Sequence, residues 1–298
     1  MLAPFSGDHL NVIKGVLFNH RITKTGIVRK TGASERKITI WCFGGSTLYG
    51  FGVPDGQTIP SHLQRSLEKF NEGSDVNVIN FGQPYWFSSV EVAAYSAMLQ
   101  SNNRPDIVIF LDGLNDMANL VAGRKVPFFS DQANAAWTRR RDDARRLLPW
   151  LSINESFPLT RVTRYLEAKF QPAPESSSKF RPLEILNADT VVQIYLNNIR
   201  KVRALSKAYD VSPYFFLQSV PWYGDYISQN VDIDFPFGDR EIAIAAYNTI
   251  VSHFGKQVDA FSLHDALWSH PAPFVDATHY SDSANALLAE KIAKFIQP

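Results

Sequence analysis

The chain is poor in cysteine: Cys42 is the single one among 298 residues. An intrachain disulfide is therefore excluded, and Cys42, inside an apolar run, reads as core packing rather than chemistry. The compartment's redox state stays open. No stretch reaches 18 apolar residues, so no membrane span is encoded. The first residues lack a charged segment followed by an apolar one, so no signal peptide is visible. That favours a cytoplasmic location, or a periplasmic or secreted one if a leader has been removed. Charge of one sign is not in excess, with 30 Lys and Arg against 29 Asp and Glu, and nothing suggests nucleic acid as a partner. Neither a G-x-G-x-x-G run nor a P-loop lysine is present, which weakens a phosphate cradle. No internal repeat of about 20–50 residues is visible.

What is present is an ordinary globular balance, 45% hydrophobic and 20% charged, with 21 Phe, 11 Tyr and 6 Trp. Several aromatics fall in loop-like segments, where they line a groove or pin the loops. The length allows a large core, and α/β proteins often spend it on one domain. Residues 38–43 (I-T-I-W-C-F) read as a buried central strand of a parallel sheet. Gly44-Gly45 break the run and Ser46 follows at once, at the strand's carboxyl end, where open α/β sheets bind ligands.

Taken in order, residues 12–18 suggest a short strand within an N-terminal arm, 1–37. The arm is expected to pack on the domain's edge, with 22–28 extended and 31–37 a turn. Leu63, Leu67 and Phe70 recur at helical spacing, giving a helix over 59–70. Residues 76–81 form a second strand ending at Gly82, 89–100 a helix, and 106–111 the clearest strand, running into Gly113-Leu114-Asn115-Asp116. The rhythm then stops. Residues 117–188 read as an insertion or cap within the domain, with a helix over 131–148 carrying five arginines, normally a solvated face. It resumes with a helix over 190–209, a strand over 214–220, a helix over 239–254, a short strand over 258–263 and a final helix over 283–296. The expected fold is a three-layer α/β/α sandwich on a five-stranded parallel sheet, one domain over 1–298.

A shared sheet brings Ser46, Gly82, Asn115 and the Asp276–His279 loop to one edge. A serine hydroxyl needs a base to become a nucleophile, and histidine serves near neutral pH. A carboxylate three residues before it can fix the imidazole tautomer. The Ser46 and Gly82 amides and the Asn115 side chain are donors suited to a developing oxyanion. Each residue also has a structural reading: Asn115-Asp116 as a turn or helix cap, Ser46 as an N-cap, His279 as a surface histidine. Asp265 and Asp282 are fallback carboxylates. His264 and His270 flank the last loop and could touch substrate. A metal site from His264, Asp265, His270, Asp276 and His279 fits no known ligand spacing. Pro221-Trp222-Tyr223-Gly224 lies where a substrate would sit, and Trp222, Tyr223 and Trp268 suit sugar stacking or a small acyl pocket.

These blocks resemble the SGNH hydrolases, also called GDSL esterases and lipases. Phe43-Gly44-Gly45-Ser46-Thr47 looks like the family's first block and its nucleophile. Asn80-Phe81-Gly82 looks like the second, whose glycine amide enters the oxyanion hole. Gly113-Leu114-Asn115-Asp116 looks like the third, with its asparagine donor, and Asp276-Ala277-Thr278-His279 the last, with acid and base. The resemblance covers roughly 38–116 and 190–296. The family often has Asp where Gly45 stands. It implies a flavodoxin-like sheet, hydrolysis of esters, thioesters or O-acetyl groups on sugars, and no metal or organic cofactor. A serine esterase acting on a short-acyl or O-acetyl ester of a carbohydrate or other small alcohol is the leading expectation. An O-acyltransferase, a lysophospholipase or lipase, and a non-catalytic binding module are the others. The oligomeric state is not encoded in any motif.

Overall fold

The computed structural model describes residues 9–13, 16–20, 37–70, 75–100, 104–121, 188–224, 240–254, 256–276 and 278–296. The chain divides into one unit of residues 1–122 and 186–298 and another of residues 123–185. The second unit lies outside the described residues. So do the expected arginine-bearing helix, most of the insertion 117–188, and the arm segments 22–28 and 31–36.

The arm carries two strands, β1 (His9–Ile13) and β2 (Val16–His20), paired antiparallel, where the sequence suggests one strand over 12–18. A stretch that reads as one element instead pairs across itself, with Ile13 opposite Val16.

The main sheet is built from β3 (Lys37–Gly44), β4 (Asp75–Asn80), β5 (Ile107–Asp112), β6 (Ser212–Leu217) and β7 (Ala260–Ser262). Its order is β4-β3-β5-β6-β7, every pair parallel. Helices intervene: a single turn α1 (Ser46–Tyr49), then α2 (Ile59–Phe70), α3 (Ser88–Met98), α4 (Leu114–Val121), α5 (Ala188–Ala208), α6 (Arg240–Phe254) and α7 (Asp282–Phe295). The first strand in the sheet lies second in space. This is the doubly wound order whose crevice opens at the carboxyl ends of β3 and β5.

Pleating explains why the central strands are apolar throughout. Successive side chains alternate faces, and both faces are covered. Trp41, Phe43, Val108 and Phe110 point into the layer shared with α3, α5 and α6. Ile38, Ile40, Cys42 and Ile109 point into the layer shared with α2 and α7. Phe43, Phe110 and Phe215 stack across three neighbouring strands, with centroids 5.3 and 5.8 Å apart.

The strand expected over 258–263 shrinks to three residues. Val258 is 93% exposed and contributes nothing to the core, so its β-branched side chain misleads as a strand signal. β6 likewise ends at Leu217. The chain beyond it stays buried through Val220 and Trp222 without pairing as strand. No helix among the described residues is long and apolar enough to cross a membrane.

Candidate active site

Ser46 sits where β3 passes directly into α1. Gly45 is the helix N-cap in extended backbone, and Gly50 closes the turn in the left-handed region, φ 85°. The Tyr49 amide returns to the Gly45 carbonyl at 3.0 Å, which holds the serine on a rigid single turn. The loop after β4 is fastened to the end of β3. The Phe81 amide donates to the Cys42 carbonyl at 2.8 Å, and the Gln83 amide to the Gly44 carbonyl at 3.0 Å. Gly82 is therefore pressed against α1: a β-carbon there would lie 2.5 Å from the Tyr49 nitrogen. Its amide donates to Asn80 Oδ1 at 2.9 Å.

Asn115 opens α4 just past β5. Its Nδ2 donates to the Trp86 carbonyl at 2.7 Å, leaving the second N–H of the amide group for another acceptor. Gly45 is what permits this approach. A β-carbon at 45 would collide with the Asn115 amide nitrogen and sit 3.2 Å from the Trp86 oxygen. The aspartate that the resemblance places at this position would push the Asn115 amide from where it stands.

The candidate base comes from a distant part of the chain. His279 Nε2 lies 2.9 Å from Ser46 Oγ, and His279 Nδ1 lies 2.7 Å from Asp276 Oδ2. A carboxylate only accepts, so Nδ1 carries the ring proton and Nε2 presents its lone pair to the serine hydroxyl. The three-residue spacing works because Asp276 caps its own turn. Its Oδ1 accepts from the Thr278 and His279 amides, both at 2.8 Å, while Oδ2 is left for the ring. Burial pushes the Asp276 carboxyl up, but these hydrogen bonds and the ring N–H outweigh it, and the group stays below the ordinary carboxylate range. The loop is anchored by the Phe274–Tyr280 bridge and by Ser281, which caps α7. The Tyr280 hydroxyl donates to the Ser219 carbonyl at 2.6 Å.

The structure thus brings together Ser46, His279 and Asp276, with Asn115 and Gly82 beside the same turn. The fallback carboxylates are elsewhere engaged: Asp282 holds His62 at 2.8 Å, and Asp265 lies 4.0 Å from His264. His264 bonds Ser262 Oγ at 2.7 Å, and the His270 ring accepts the Ala272 amide. Among the described residues no group of three or more His, Cys, Asp or Glu is placed to hold a metal ion. Trp222, expected to face substrate, is a core anchor. It is 1% exposed and packs edge-on against Tyr247 at 5.2 Å. Two contacts had no signal in the sequence. The half-exposed Phe51 ring lies 4.7 Å from the His279 ring, and the Trp86 carbonyl holds Asn115.

The fold is similar to that of solved G-D-S-L lipolytic proteins. One from Veillonella parvula, described as a member of the lipolytic G-D-S-L family, is 11% identical with a TM-score of 0.48; the match covers 87% of this chain and 98% of that one. An aryl esterase of M. smegmatis is 11% identical at 0.48, covering 87% and 98%. Est24, a carbohydrate acetylesterase from Sinorhizobium meliloti, is 13% identical at 0.46, covering 86% and 97%. No family model matches the chain, and no curated protein matches it by sequence. The G-D-S-L group is the family that the four sequence blocks resemble.

Behind Asn115 lies a fully enclosed carboxyl, Asp116. It accepts from the Ser88 hydroxyl and from the Ser88 amide at 3.2 Å. Burial pushes it up to about 6, against the pull of those hydrogen bonds. Glu91 and Asp112 nearby are also pushed well above the carboxylate range, by burial first and then by neighbouring acidic charge. An unfolded chain releases the Asp116 proton near 3.8, so between that value and about 6 the folded protein binds more protons than the unfolded one. Stability from this group is therefore greatest in acid and falls as pH rises through about 6. Asp116→Asn has no such proton to lose. Relative to wild type, its melting temperature is expected to gain between about pH 4.5 and about pH 7.5. An unchanged difference between the two melts would contradict the buried titration.

Proposed function

We propose that the protein is a serine esterase, and one observation carries the reading: the chain of contacts from Ser46 Oγ through the His279 ring to Asp276, at 2.9 and 2.7 Å. Ser46 Oγ attacks the ester carbonyl carbon as its proton passes to His279 Nε2, and Asp276 stabilises the imidazolium that forms. The carbonyl electron pair moves onto oxygen. That oxyanion rests on the Ser46 amide, which opens α1 without an intrahelical acceptor, and on the second Asn115 Nδ2–H. The Gly82 amide joins as a donor shared with Asn80 Oδ1. Collapse breaks the bond to the leaving oxygen, which takes the proton from Nε2 and departs as the alcohol. Water then repeats the sequence with His279 as base, and the acid leaves with Ser46 restored.

The substrate we infer is a short-acyl or O-acetyl ester of a carbohydrate or other small alcohol. Ser46, Asn115 and His279 are half-buried and Asp276 is exposed, so the nucleophile is reached without a long channel through the described residues. Phe51, against His279, offers one exposed apolar face of modest size. Hydrolysis of p-nitrophenyl acetate and butyrate is expected to exceed that of the palmitate in kcat/KM. Comparable values across the series would refute the short-acyl preference, and no hydrolysis of any member would remove the esterase reading.

A further inference from the structure

We propose that Asp116, Ser88 and Asn198 form a buried positioning device that aims the Asn115 side chain at the oxyanion. The inference rests on the esterase reading above. Asn115 contributes a donor only if its amide plane is fixed, and that plane is fixed by the bond from Nδ2 to the Trp86 carbonyl, 2.7 Å. Trp86 belongs to a loop, so its carbonyl in turn needs an anchor. Two residues on, Ser88 begins α3, and both its amide and its hydroxyl donate to Asp116, the immediate neighbour of Asn115. The two segments are thus clamped at two adjacent points. Asn115 grips Trp86 in one direction, and Ser88 grips Asp116 in the other.

The hydroxyl of Ser88 is itself oriented from a third element. Asn198, on α5, donates through Nδ2 to Ser88 Oγ and to Ser89 Oγ, both at 2.8 Å. Ser88 Oγ therefore accepts from Asn198 and donates to Asp116, and its proton has one place to go. The device is dry: Ser88 is 3% exposed, Asp116 1% and Asn198 2%. Among the described residues no cation pairs with the Asp116 carboxyl. A buried carboxylate without a counter-charge is a poor way to stabilise a fold, since burial penalises its charged form. What it supplies is geometry. Its two oxygens take the Ser88 amide at 3.2 and 3.3 Å while one of them also takes the hydroxyl. The neutral amide of an asparagine has only one oxygen to offer. A donor displaced by about 1 Å is enough to cost roughly 10²-fold in rate.

Asp116 touches no substrate, so it is a positioning residue acting through Asn115, and this dependence is what the test reads. Asp116→Asn and Ser88→Ala are each made in wild type and in Asn115→Ala, and all are followed by steady-state kinetics beside thermal melts. In wild type, each is expected to lower kcat by about tenfold or more while KM stays within about threefold. In the Asn115→Ala background, the same substitutions are expected to change kcat by less than about threefold, because the donor they aim is gone. Equal losses in both backgrounds would overturn the proposal and make the cluster merely structural. So would unchanged kcat in wild type. If Asp116→Asn does not fold, the Ser88→Ala pair decides alone, since the Ser88 amide still reaches Asp116 there. Should Asn115→Ala itself keep wild-type kcat, it is the oxyanion role of Asn115 that fails, a result distinct from additivity in the cycle.

Discussion

Ser46→Ala is expected to abolish turnover of p-nitrophenyl acetate and to melt close to wild type. The variant loses one hydrogen bond, from Oγ to His279 Nε2 at 2.9 Å, at a half-buried position. Such a bond contributes about 1 kcal/mol to stability, a small part of what holds a sheet of this size. The turn itself does not depend on the hydroxyl. It is closed by the Tyr49 amide on Gly45 and by the left-handed Gly50. The chemical loss is of another order. Without Oγ no acyl-enzyme forms, and loss of a serine nucleophile costs about 10⁶ in kcat in a serine protease. A serine-reactive phosphonate is expected to add its mass to the wild-type peptide bearing Ser46 and to leave the variant untouched. Turnover of the folded variant within tenfold of wild type, or labelling elsewhere, would remove Ser46 from the mechanism.

Asn115→Asp is expected to be slower than Asn115→Ala, and both slower than wild type chiefly in kcat. Removal of one oxyanion donor costs about 10²–10³ in kcat. The aspartate goes further, because it sets negative charge where negative charge must develop. It also turns an oxygen toward the Trp86 carbonyl, where the asparagine presents an N–H at 2.7 Å. Losing that part-buried hydrogen bond gives Asn115→Asp a stability loss of about 1 kcal/mol. A capping role alone would predict the opposite order, since Asp caps as well as Asn while Ala does not. Asn115→Ala with a lowered melt but kcat within about threefold of wild type would return Asn115 to its structural role.

The parts of this fold that were legible in the sequence are those with local periodicity. The stripe of Leu63 and Leu67 marks α2 because its buried face recurs every three to four residues. The runs through Ile40 and Ile109 mark β3 and β5 because strands covered on both faces are apolar throughout. Ser46, Asp276 and His279 stood out as candidates because a serine directly follows an apolar strand and a carboxylate stands three residues before a histidine. What was not legible depends on tertiary pairing. Nothing near Trp222 says that its ring fills a hole beside Tyr247 rather than a substrate groove. Nothing near Ser88 names Asp116 or Asn198, 28 and 110 positions away, as its partners. Gly44-Gly45 before Ser46 show in sequence only a break in the apolar run. Gly45 instead makes room for the protein's own Asn115.

Ser46 and His279, the proposed nucleophile and base, stand 233 positions apart in the chain. During synthesis, which proceeds from the N-terminus, Ser46 emerges long before His279. Until residues 276–296 are made, the serine stands without His279 beside it, on a strand whose second face still lacks α7. Only when that last helix docks beside α2 and shuts the layer over Ile40 and Cys42 does the imidazole arrive. On the esterase reading, a chain lacking residues 276–296 has no imidazole beside Ser46 and is expected to be chemically silent, whatever else of it has folded.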